Sequence, residues 1–76
     1  MHPGSARLLE HFTYAHLPEP LKGISARCAE LALRMAEALD SDDPVVQAEV
    51  TMGLRRLLEA KKCFTRARVT LEKRRP

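Results

Sequence analysis

Tryptophan is absent from this 76-residue chain, and Phe12, Tyr14 and Phe64 are its only aromatic residues. Hydrophobic residues still make up 45% of the sequence, so the interior must be built from Leu, Val, Ala and Met, as helical cores usually are. No apolar run approaches the roughly 18 residues that a membrane-spanning helix needs, and the first residues lack the basic-then-apolar order of a secretory signal. A soluble, intracellular protein without membrane association is the expectation. Cysteine is scarce too. Cys28 and Cys63 are too few for a disulfide framework and fall at or beside apolar helical positions, which predicts buried, inert thiols in a reducing compartment.

Chemistry-bearing motifs are equally sparse. His2, His11 and His16 have no Cys or acidic companions at ligand spacing, so no metal site is expected. There is no Gly-rich phosphate loop, no nucleophile-and-base arrangement and no carboxylate pair that asks for a reaction. These absences argue against an enzyme and against a bound cofactor.

What is present is helical periodicity. Leu21, Ile24, Cys28, Leu31, Met35 and Leu39 recur at intervals of three and four, and so do Val46, Val50, Leu54, Leu57, Ala60, Phe64, Ala67 and Leu71. Only Ser41-Asp42-Asp43-Pro44 interrupts the pattern, with Asp43 suited to be an N-cap and Pro44 to be the first helical residue. The reading is one all-α domain over residues 1–76. It is a two-helix antiparallel hairpin with helices at 18–39 and 44–73 and a short helical arm at 5–14 capped by Ser5. Pro18 and Pro20 fit a first helical turn, Gly53 beside Leu54 predicts close helix contact, and Leu8, Leu9 and Phe12 predict that the arm folds over one end of the hairpin.

A chain of this size hides only about 60% of the surface that its unfolded form exposes. The second helix also outruns the first, leaving apolar residues near its end for the arm or another subunit to cover. The sequence therefore predicts a symmetric homo-oligomer in contact through a stripe widened by Leu58 and Val69.

Charge is divided unevenly along the chain. Residues 1–40 carry four basic and five acidic side chains, residues 41–60 two and four, and residues 61–76 seven and one, so the net values are −1, −2 and +6. An anionic partner near the end of the second helix is one reading, and a solvated basic tail is the other. In an antiparallel hairpin Tyr14, His16, Lys22 and Arg27 return beside Lys61, Lys62 and Arg66. An aromatic ring among cations suits a nucleotide, whose base stacks and whose phosphates accept charge-assisted hydrogen bonds.

The wording of the sequence adds to this. Phe12-Thr13-Tyr14-Ala15-His16-Leu17-Pro18-Glu19-Pro20-Leu21 with Ser25 and Leu31-Ala32, followed by Leu54-Arg55-Arg56-Leu57-Leu58-Glu59-Ala60-Lys61 with Arg66-Ala67, resembles the phage anti-CBASS sponges, relatives of Thoeris anti-defence proteins. The resemblance spans residues 12–68. It implies a compact helical homo-oligomer, commonly a hexamer, that holds cyclic GMP-AMP-like dinucleotides between protomers without cleaving them. Some members also hold cyclic tri-AMP-like trinucleotides. Such a protein would act in the cytoplasm of the phage-infected bacterium, withholding the signal from an immune effector.

By this resemblance Tyr14 is the base-stacking residue; together with the residues that the hairpin brings together, the expected ligand-binding set is Tyr14, His16, Lys22, Arg27, Lys62 and Arg66. The chain departs from the family pattern at Ala26, where many relatives have Lys, and at Lys62, where an acidic residue is common. Arg66 thereby becomes the matched anion ligand. The alternative is a small basic helical adaptor that binds DNA or RNA through Lys61 to Arg75. A membrane-surface peptide fits less well, because the basic residues surround the helix.

Overall fold

A computed structural model describes residues 1–14 and 17–75 and shows three α-helices: α1 at Pro3–Leu9, α2 at Leu21–Ala38 and α3 at Pro44–Arg74. The second turn signal forms as expected. Asp43 Oδ1 accepts from the Val45 N–H at 2.8 Å, Pro44 opens α3, and Ser41 Oγ accepts from the Asp43 N–H at 3.0 Å. The Gln47 side-chain amide donates back to the Ser41 carbonyl at 2.9 Å, closing the short connection that sets α2 and α3 antiparallel.

The other helix starts differ from the sequence reading. α2 begins at Leu21, not at residue 18, because Pro20 pushes Glu19, and Pro18 pushes Leu17, away from helical dihedrals. α1 is capped by His2, whose Nδ1 accepts from the Gly4 N–H at 3.1 Å, with Pro3 as its first residue. Ser5, expected to cap the arm, is instead buried within α1 and shares a 3.4 Å hydrogen bond with Thr51 of α3.

The arm is a third layer rather than a lid on the overhang. It runs along one side of the α2–α3 pair, from the Met1 amino group 3.4 Å from Asp40 at the closed end to the His11 carbonyl, which accepts from Lys61 Nζ at 3.1 Å. Lys61 Nζ also lies 5.9 Å from the centre of the Phe12 ring.

Docking α1 changes which stripe of α2 is buried. The core is Phe12, Cys28, Ala32, Ala36 and Leu54, with Ser25 wholly enclosed beside it. The expected stripe is therefore corrected: Leu31, Met35 and Leu39 are 44–50% exposed, and the enclosed residues lie about one position, or 100°, further round the helix. With two neighbours, α2 turns inward the face between them, and small Ser25, Ala32 and Ala36 let both approach.

Three further expectations are corrected. Leu58, assigned to an intersubunit contact, packs against the core. Gly53 permits no close contact within the protomer, since nothing lies within 4 Å of where its Cβ would be. Cys28 is buried, but Cys63 is exposed, because it lies on the solvent side of α3 rather than on its packed stripe. No helix is long and apolar enough to cross a membrane among the described residues.

Candidate functional site

α1 does not reach the open end of the layer it covers, and a groove of about 340 Å³ lined by three cationic side chains remains there. Thr13 and Leu17 border it from the segment between α1 and α2, Ser25 from α2, and Lys61, Lys62, Thr65 and Arg66 from α3. The local structure explains the grouping. Lys61 and Thr65, like Lys62 and Arg66, are one helical turn apart and so stack along one side of α3. Thr65 Oγ1 donates to the Lys61 carbonyl at 2.8 Å.

Two features make the groove chemically distinctive. Ser25 is fully buried, yet its hydroxyl has no hydrogen-bond partner among the described residues, a state that costs about 1–3 kcal/mol if nothing completes it. Three cationic side chains face the same space, and among the described residues none of the three pairs with a carboxylate. Lys61 is held by the His11 carbonyl, and an Arg66 guanidinium nitrogen lies 3.2 Å from Cys63 Sγ. Lys62 is exposed. Such a groove can take an anion, with Arg66 able to grip two oxygens at once.

The residues expected at the site are only partly brought together. Lys62 and Arg66 line the groove. Tyr14 is 39% exposed beside Thr13 but outside the lining, and Lys22 is half-buried in the first turn of α2, also outside it. Arg27 is a correction: it lines an apolar groove with Leu31, Phe64 and Arg68 on the other side of the layer, because it stands two positions, or about 200°, from Ser25. His16 lies outside the described residues.

No family model, curated protein or solved structure matches the chain. The geometry must be interpreted on its own terms.

Ser25, Lys61, Thr13 and Thr65 were missing from the expected set. Ser25 could have been noticed as a polar residue in register with Ala32 and Ala36, but that register becomes visible only once α1 is placed. Among the described residues no group of three or more His, Cys, Asp or Glu side chains could hold a metal ion.

Proposed function

We propose that the chain is a non-catalytic, homo-oligomeric sponge for cyclic di- or trinucleotides, which withholds these messengers from a CBASS-type antiphage response in the infected bacterium. The observation that carries the reading is the meeting of Ser25 with Lys61 and Arg66 in one groove. These residues come from the two separated stretches that resemble the anti-CBASS sponges. Lys62 adds charge there, and Tyr14 stands at the edge with an exposed ring for stacking.

Magnitudes favour a site shared between copies. Stacking contributes about 1–3 kcal/mol per base, and a hydrogen bond to a charged group about 1.5–3 kcal/mol. Nanomolar capture requires about −12 kcal/mol after the costs of association. At about 340 Å³ the groove is near the small end of ligand sites, so a ring with several phosphates would draw on duplicate grooves or on Tyr14 of another protomer.

Isothermal calorimetry against a panel of cyclic di- and trinucleotides tests the proposal. Binding to at least one, lost in Arg66→Ala and recovered as intact ligand after heat denaturation, is the expected result. No binding at micromolar concentration rejects the reading, and a cleaved ligand rejects its non-catalytic part.

The exposed Lys73 and Arg74, which make no ion pair among the described residues, favour nucleic-acid binding as a second reading. A polymer ligand releases many counterions, so its affinity falls steeply with salt, whereas a ring with two or three phosphates responds less.

A further inference from the structure

On the side of the α2–α3 layer opposite α1, two apolar grooves of about 430 and 490 Å³ adjoin at Leu57. Phe64, 57% exposed, and Leu71, 47% exposed, both line the larger groove. Gly53 forms part of the smaller groove. Its φ is negative, and apart from its chain neighbours and its own helix backbone nothing among the described residues lies within 4 Å of where a Cβ would be. Neither backbone conformation nor internal packing calls for a glycine here, although glycine is unfavourable inside a helix.

We infer that a second copy of the chain covers this face, with its α3 antiparallel to the first about a two-fold axis level with the Leu58–Glu59 peptide. A two-fold contact requires that if one position meets another, the reverse also holds. About this one centre Gly53 pairs with Phe64, Val46 with Leu71, and Glu49 with Arg68. The exposed ring of each copy thus enters the gap left by glycine in the other, and aliphatic residues meet aliphatic ones.

Charge selects the same orientation. The closed end of the layer carries Glu37, Asp40, Asp42, Asp43 and Glu49 against Arg34 and the Met1 amino group, whereas residues 61–75 carry seven basic side chains against Glu72. Antiparallel packing lays the acidic end on the basic end twice, and the same centre brings Asp43 to Arg74. Parallel packing would oppose like charges. The molecule measures 51 by 19 Å along its two longer axes, which offers on the order of 900 Å² per copy, close to the roughly 800 Å² per partner of a standard interface. The result is a four-helix core with each α1 on the outside, leaving both cation-lined grooves open.

This inference specifies the self-association within the proposed function and does not require a nucleotide. Its test is sedimentation of the full chain without nucleotide, from micromolar to millimolar concentration. The wild type should form dimers or larger even-numbered assemblies. Gly53→Leu should fold with unchanged helical circular dichroism, since the protomer has room for the side chain, yet associate more weakly by about tenfold or more.

E49R and R68E should each weaken association, and an equimolar mixture should restore it, because both symmetry-related contacts then pair opposite charges. A wild type that stays monomeric throughout overturns the inference. So does a Gly53→Leu variant that associates as tightly as wild type, or a mixture no stronger than either single variant. Assembly that ignores these substitutions would leave the sponge reading standing, while failed calorimetry alone would leave this interface standing.

Discussion

The two sides of the α2–α3 layer are built from similar residues and end in opposite conditions. Against α1, Phe12, Ala32, Ala36 and Leu54 are at most 4% exposed, whereas on the far side Leu31, Met35, Leu39, Phe64 and Leu71 are 44–57% exposed. The covered side uses small residues that admit a third helix, and the open side carries the larger ones. Hydrophobicity therefore does not say which face is the protomer's own core. A neighbour is needed to make it one, and the chain supplies a neighbour for one side only.

The sharpest way to break this contrast is to truncate one residue on each side. Phe12→Ala should destabilise the protomer by about 3–5 kcal/mol in urea denaturation at low concentration, where self-association is minimal. Phe64→Ala should change that stability by less than about 1 kcal/mol, because the ring already faces solvent in the protomer. Equal losses would show that the two faces are not distinct.

Asp43→Ala tests the turn that both sides share. Loss of the side-chain acceptor for Val45 should cost about 0.5–2 kcal/mol, read as a lower thermal midpoint. Gly53→Ala should raise protomer stability by up to about 1 kcal/mol, since the added methyl meets nothing and removes backbone freedom from the unfolded chain.

The smallest expected effect on folding is at the cation-lined groove. Ser25→Ala removes a buried hydroxyl that lacks a partner among the described residues, so stability should hold or rise slightly, while calorimetry with a cyclic nucleotide should show weaker binding. Marked loss of stability would mean that the hydroxyl serves the fold.

Much of the helical layout was legible in the residues. Asp43-Pro44 marked the start of α3 to the residue, and the apolar periods of α2 and α3 located both helices. The site was less legible. Lys62 and Arg66 share a groove because an i, i+4 pair always shares a side of its helix, whereas Arg27 and Tyr14 depended on rotations and a connecting segment that periodicity does not specify. Ser5 looked like a cap because its type suits that role, but His2 with Pro3 starts the helix earlier.

By itself the sequence determined where α3 begins, that two long helices flank residues 41–43 and return side by side, and that positive charge gathers at one end. Hydrogen-bonding caps, proline stereochemistry and a five-residue link act over a few neighbours, so they can be read locally. Only the tertiary structure decided that α2 turns Ser25, Ala32 and Ala36 inward and leaves Leu31, Met35 and Leu39 outside. An apolar arc wider than one contact can be buried in more than one rotation, and the choice was made by the docking of α1, a contact between residues far apart in the chain.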